Sequence, residues 1–378
     1  MPPSSSPPPL LWTTTLLFSL TFLAAITLIP WYGFTHGFST AAWISAVIVV
    51  IFSEMAVTCG YHRLFAHASY EAHGVLKLGY LLFGAMSLQN SALLWGVGHR
   101  AHHRFVDDND RDPYSAGRGF WFSHIGWMLR DYPSGVPDLA LGRDLQRDPL
   151  IMWQHRNYLA IALSMNIALP LLLGWALGDV WGVFLLVGVL RLVVNHHFTF
   201  FINSLAHMWG TRPYNERNSA RDNALLAVLT FGEGYHNFHH AFAQDFRNGV
   251  RWWHYDPSKW FIYSMSLCGL ARGLRRTPWF RIQRARLDGQ FAHAERQLAQ
   301  RPQLAQFELL RQRVADEYHA FSKAVSEWNA LREQWLDDTK RAVAARWDRS
   351  ALQRQLREIE SGLQQQIQRM RALQAQLG

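Results

Sequence analysis

The chain has 378 residues, 49% of them hydrophobic and 17% charged, with a formal net charge of +9. The apolar residues are gathered into long blocks, which excludes a string of ordinary soluble domains. The basic balance follows the polar segments between those blocks and is not a nucleic-acid footprint. Cys59 and Cys268, without any CxxC, exclude a thiolate metal knot and a disulfide framework.

The N-terminal "MPPSSSPPP" (1–9) reads as a disordered leader; it lacks the basic start of a cleaved signal peptide. Two apolar runs follow, 10–29 and 41–56, each near the roughly 20 residues that cross about 30 Å of hydrocarbon. Residues 1–61 contain no lysine or arginine, and Glu54 is their only formal charge. A second apolar block, 158–201, is broken by "GWALGD" (174–179) and accommodates two more spans. The predicted spans are therefore about 10–30, 41–60, 158–175 and 180–202. Segments 30–41 and 174–181 lack Lys and Arg, whereas 62–156 and 203–378 hold nearly all of them. The positive-inside rule then places both termini and the large polar segments in the cytoplasm.

Between the pairs, the apolar stretch 75–95 is interrupted by Lys77, Ser87, Gln89 and Asn90, and reads as a helix buried against the others or lying in the interface. The cluster "ARGLRRTPWFRIQRAR" (271–286), with Trp279 and Phe280 between its arginines, suits an anionic headgroup layer. The membrane body extends over 10–286. Beyond it, at 287–378, Phe307, Val314, Phe321, Trp328 and Trp335 recur every seven residues, with Leu310 and Leu331 at the second seam position. After Ser350 the interval resumes at Leu356, Leu363, Met370 and Leu377, flanked by Leu352, Ile359 and Leu373. Two heptad-patterned helices follow, either an intramolecular hairpin or a self-associating coiled coil.

Nine of the 18 histidines fall into four groups: His62 and His67; His99, His102 and His103; His207, with Asn203 nearby; and His236, His239 and His240. On a helix, positions i, i+3 and i+4 share a face. Each HxxHH triplet can thus serve two adjacent metals, and two facing triplets can hold a pair of ions. His62 and His67 are about 140° apart on a regular helix and need a frayed or bent end to converge. Neutral imidazole suits Fe, Zn, Cu or Ni rather than Mg or Ca. The acidic run "DDNDRD" (107–112) reads as a solvated loop. His124, His196 and His197 are assigned pocket-lining or hydrogen-bonded roles.

The segments "GYHRLFAH", "WGVGHRAHHRF", "DPYSAGRGFWFSHIGWML", "NSLAHMWGTRPY" and "GEGYHNFHH" resemble, in order and interval, the integral-membrane fatty acid desaturases of the stearoyl-CoA (acyl-CoA) Δ9 type, especially bacterial members. The resemblance covers roughly 40–265. It implies an all-α integral membrane protein of four transmembrane helices, with a cytosolic histidine-rich cap holding two irons and, outside the resemblance, a coiled-coil-like helical extension. One iron would be held by His62, His67, His99, His103 and His239. The other would be held by His102, His207, His236 and His240, with Asn203 acting through a water. Trp95 resembles the tryptophan that lines the family's acyl tunnel.

The implied reaction inserts a cis double bond, Δ9 by default, into a saturated acyl chain using O₂ and two electrons. Methylene C–H bonds resist side-chain acids and bases, so that step belongs to a cofactor. No electron-transfer domain is visible in the sequence, so the partner would be a ferredoxin-like or cytochrome-like donor. Where acyl-CoA-using members carry an arginine and an aspartate before the first triplet, this chain has Val97 and Gly98, with Leu94 nearby. Acyl-phospholipid and acyl-ACP therefore stand beside acyl-CoA as carriers. The implied location is a bacterial inner membrane. Rival readings are a membrane di-iron hydroxylase of alkanes, sterols or carotenoids, and a non-catalytic metal-binding scaffold.

Overall fold

The computed structural model describes residues 7–300 and 307–341, with further helical residues between 354 and 372. The chain divides into two compact units. The first comprises Met1–Thr211 and Arg217–Arg276, and the second Arg212–Glu216 and Thr277–Gly378.

In the first unit four helices are long and apolar enough to cross a membrane: Trp12–Thr35, Thr40–Ala66, Tyr158–Leu177 and Val180–Met208. Helix is the natural outcome for such runs, because hydrocarbon offers no partner for an unpaired backbone group. The second and fourth helices extend past the expected apolar limits, and their added turns carry His62 and His207. Ser39 caps the second helix through Ala42 N (3.1 Å), and Asp179 caps the fourth through Gly182 N (2.9 Å). Asp179 also accepts from Ser39 Oγ at 2.6 Å, tying the two starts together. Ala42, Ala46 and Val49 of the second helix pack with Val183, Leu186 and Val187 of the fourth. The first helix, by contrast, leaves Leu16, Leu20 and Leu23 exposed.

The stretch 75–95 is two helices rather than one. Gly74–Ala85 ends in a turn where Leu88 and Asn90 take φ of 47° and 80°, and Ser91 then caps Ala92–Phe105. Gly74–Ala85 packs against the end of the second span by a reciprocal fit. Tyr80 lies over Gly60, where a Cβ would stand 2.5 Å from Tyr80 Cβ, and Tyr61 lies over Gly84. Small residues at these crossings let the backbones approach. A short antiparallel pair, Glu71–Ala72 with Ala271–Arg272, closes the chain beside this helix. The carbonyls of Pro8 and Pro9 accept from Arg130 Nη1 (2.7 Å) and Asp131 N (2.9 Å), so the end of the expected leader is tied to the Arg130 side chain and the Asp131 backbone; residues 1–6 lie outside the described residues.

The second unit contains Trp279–Gln300 and Phe307–Arg341. Leu287, Phe291 and Ala294 of the first helix pack with Val314, Phe321 and Val325 of the second, and Ile359 joins them. The Phe280 and Trp328 ring centroids are 3.9 Å apart. The heptad positions 314, 321 and 328 are thus buried against a helix of the same chain. Phe280, expected among headgroups, is buried in protein because its helix starts at Trp279 and turns that face inward. Leu352, Leu356, Leu363, Met370, Leu373 and Leu377 lie outside the described residues.

Replacing Gly60 with Val drives a branched side chain into Tyr80 inside a close-packed crossing, where overpacking costs typically 1–3 kcal/mol. The expected outcome is a lower melting temperature and reduced yield of detergent-extracted protein, read by fluorescence size-exclusion after heating. Unchanged melting would contradict the reciprocal fit.

Candidate metal centre

The site is built where four helices come together. From Ala56 to Ala66 the second span widens into π-type i→i+5 winding, a form concentrated at functional sites. In that winding the fifth residue returns close to the face of the first. His67 N donates to His62 O at 3.1 Å, and the two rings lie 4.8 Å apart. The expected frayed or bent end is therefore a continuous, wider helix. Ala92–Phe105 carries His99, His102 and His103, the short helix His236–Ala241 carries His236, His239 and His240, and His207 stands at the end of the fourth span.

These nine side chains form two sets. His62, His67, His99, His103 and His239 make one; His102, His207, His236 and His240 make the other; and the donor atoms of each lie within 4.8 Å of one another. Each triplet is divided, its i and i+4 members in one set and its i+3 member in the other. In the first set Nε2 atoms stand 2.8 Å apart in His67 and His99, 3.0 Å in His62 and His239, and 2.9 Å in His103 and His239. In the second, His236 Nε2 is 3.1 Å from those of His207 and His240. His103 and His240, one from each set, stack at 4.2 Å and 12°.

Four of the opposite ring nitrogens are held from behind, as ligating histidines require, while His236 Nδ1 and His239 Nδ1 are buried without a hydrogen-bond partner among the described residues. Glu233 Oε2 is 2.9 Å from His62 Nδ1, Asp112 Oδ1 is 2.9 Å from His102 Nδ1, and Tyr114 Oη is 3.2 Å from His99 Nδ1. His207 Nδ1 is 2.7 Å from Ser219 Oγ, and Ser219 is in turn bonded to Asp107. The "DDNDRD" run is therefore only half solvated: Asn109, Asp110 and Arg111 face water, while Asp112 is fully buried behind the site. It turns inward because a buried imidazole needs an acceptor. Glu233 also takes both Nε and Nη2 of Arg63 (3.1 and 2.9 Å), and Arg63 reaches Asp256 at 2.9 Å. Burial alone would raise the Glu233 carboxyl, but His62 and Arg63 outweigh it and hold it at about 2.

Glu233, Asp112 and Asp107 were not singled out as site residues. The usable signal was a carboxylate close to each HxxHH triplet: Asp107 and Asp112 just after the first, Glu233 just before the second. His124, His196 and His197 stay outside both sets. His124 lies 3.0 Å from Ser204 Oγ and 3.1 Å from His197 Nδ1, and His196 lies 2.8 Å from Ser87 O.

Against the two sets lies a cavity of about 330 Å³, lined by His62, His99 and His236 and by hydrocarbon from Leu17, Phe18, Val57 and Phe200. Trp95 and Asn203 are in its wall. Trp95 stacks on His99 at 4.9 Å, and its Nε1 donates to Gln89 Oε1 at 3.0 Å. Leu94 and Gly98 line the same cavity, while Val97 is fully buried in the core.

The donor chemistry fits transition metals. Burial first, then the neighbouring imidazoles, pushes His67, His99, His103, His236, His239 and His240 well below the ordinary histidine value of 6.5. They are neutral at pH 7, as ligation demands. Because the folded value lies below the unfolded one, the unfolded chain binds more protons between the two, so stability is present above about 6.5 and is lost as pH falls. Metal is expected to be retained above about pH 7 and released by about pH 5, measured as metal content after gel filtration. Replacing Asp112 with Asn is expected to weaken metal affinity about 10- to 100-fold by a chelator competition assay; unchanged affinity would remove the role given to that carboxylate.

Residues 38–263 match the family model described as fatty acid desaturase. The chain is 43% identical over 274 residues to the probable acyl-CoA desaturase of Schizosaccharomyces pombe, covering 71% of this chain and 55% of that protein. It is 37% identical over 271 residues to the stearoyl-CoA desaturase of Homo sapiens (69% and 73%), and 33% identical over 280 residues to the sn-2 palmitoyl-lipid 9-desaturase of a Nostoc species (71% and 91%). The chain spans about half the length of the two fungal relatives it matches, at 55% and 51%. With four apolar helices and two histidine sets beside a hydrocarbon-walled cavity, this is an integral membrane protein that belongs to the fatty acid desaturase family.

Proposed function

We propose that this protein is an O₂-dependent fatty acid desaturase that inserts a cis double bond, at Δ9, into a saturated acyl chain. The observation that carries the reading is the placement of two imidazole sets against one wall of an apolar cavity. The first set would hold one iron and the second the other, with Asn203 reaching the second through a water. Two irons there supply the oxygen-activating oxidation that unactivated methylene groups require.

The chain's own contribution is position and dryness. Trp95 is fixed between His99 and Gln89, and Gln89 Nε2 donates to Thr199 Oγ1 at 2.9 Å, so this wall is rigid. A rigid wall beside the metal sets presents one C–C bond of the chain to them. The carriers in the relatives' names include both CoA and a lipid, and Leu94, Val97 and Gly98 supply no charge for a CoA moiety. We therefore keep acyl-CoA, acyl-phospholipid and acyl-ACP as candidate substrates. Electrons come from a separate ferredoxin-like or cytochrome-like donor. The distribution of Lys and Arg supports a bacterial inner-membrane protein with its metal centre and both termini in the cytoplasm. Within the second unit, the buried seam supports a hairpin extension over self-association.

The test is fatty-acid profiling, by lipid class, of a host lacking its own desaturase, with and without this chain. The expected product is a cis-monounsaturated acyl chain. His103→Ala and His236→Ala are each expected to abolish it while the protein remains membrane-inserted. An alcohol in place of an alkene would transfer the reading to a hydroxylase, and retained product in both variants would overturn the ligand assignment.

A further inference from the structure

One group in the cavity wall has no part in the reaction as described. Glu54, the only formal charge in residues 1–61, lies within the second span, is 2% exposed, and lines the cavity beside Val57, Thr58 and His62. Its Oε1 has no hydrogen-bond partner among the described residues. The buried cation of the same bundle, Arg191, interacts with Glu54 electrostatically, but its hydrogen bonds go to Val187 O (2.9 Å), Met86 O (2.6 Å) and Asn166 Oδ1 (2.6 Å).

The polar surroundings of Glu54 are also incompletely paired. Neighbouring Ser53 accepts from Asn195 Nδ2 at 2.5 Å, yet Asn195 Oδ1 is buried without a partner, as is Ser87 Oγ. Gln89, Thr199 and His196 line the cavity with Glu54. An unpaired carboxyl in a membrane span is unfavourable, and such groups mark function. A plain methylene chain laid against it leaves it unpaired, whereas a hydroxyl supplies both a donor and an acceptor.

Position along the chain follows from the helix. Glu54 precedes His62 by eight residues on one continuous helix, a little less than the roughly 12 Å that eight α-helical residues span, because Ala56 onward is π-wound. A chain held at the metal sets and running down the cavity reaches Glu54 in its distal half.

We infer that Glu54 forms a polar subsite in the acyl cavity and selects chains bearing a hydroxyl on the segment beyond the reacting carbons. This rests on the desaturase reading, whose failure is distinguishable in the same experiment. The host lacking its own desaturase is fed stearic acid or stearic acid hydroxylated near its methyl end. Unsaturated product from each is measured for the wild-type chain, Glu54→Gln and Glu54→Leu, at matched membrane levels. Comparing the hydroxylated-to-plain product ratio between variants cancels differences in uptake.

The expected result is a ratio above one in the wild type that falls about tenfold in Glu54→Leu, with Glu54→Gln between them because its amide still hydrogen-bonds. Because Glu54 and the buried Arg191 interact electrostatically, melting of each variant is compared with wild type, and the near-isosteric Gln variant guards against a packing effect. Equal ratios in all three proteins overturn the inference and leave the carboxyl as a water site. No product from either chain in the wild type overturns the desaturase reading and the inference with it.

Discussion

The constraint that organises this protein is the second nitrogen of each imidazole. A histidine can offer a lone pair to a metal only while its other nitrogen keeps the ring from rotating and fixes its tautomer. Here four of those nitrogens are met: Asp112, Tyr114 and Ser219 lie 10, 15 and 12 residues beyond the histidines they steady, and Glu233 reaches His62 from far along the chain. The loops between spans are shaped by that requirement. The chain folds back from Asp107 to Tyr114 to bring an acceptor behind His102, and the same turn supplies the base on which Ser219 rests.

Electrostatics binds this support to the fold. Arg63 follows His62 directly and is fully buried, so it needs carboxylates in the interior. Glu233 satisfies it and steadies His62 together, while Asp256 holds the guanidinium from the other side. Removing one partner of such a network leaves a buried unpaired charge, a loss of about 3–5 kcal/mol. Metal site and stability are therefore inseparable here: the groups that orient one ligand also neutralise the cation beneath it.

Much of this was legible in the sequence because it is periodic. Apolar runs with one-sided basic flanks located four spans, and the i, i+3, i+4 spacing of both triplets announced a divided site. What escaped has no period. Asp112 and Glu233 sit in motifs whose histidines draw the eye, and nothing in their local spacing says that they turn inward. The π winding at Ala56–Ala66 escaped for a related reason: its cause is the packing of Gly60 beneath Tyr80 and the convergence of His62 with His67, both tertiary demands. The break in 75–95 falls at Leu88 and Asn90, where left-handed backbone is adopted without a glycine to advertise it.

The face-to-face stacking of His103 on His240 joins the two histidine sets directly, one ring from each. A ring that moves in one set must therefore press on a ring of the other, so a change of side chain at either position would be felt at both.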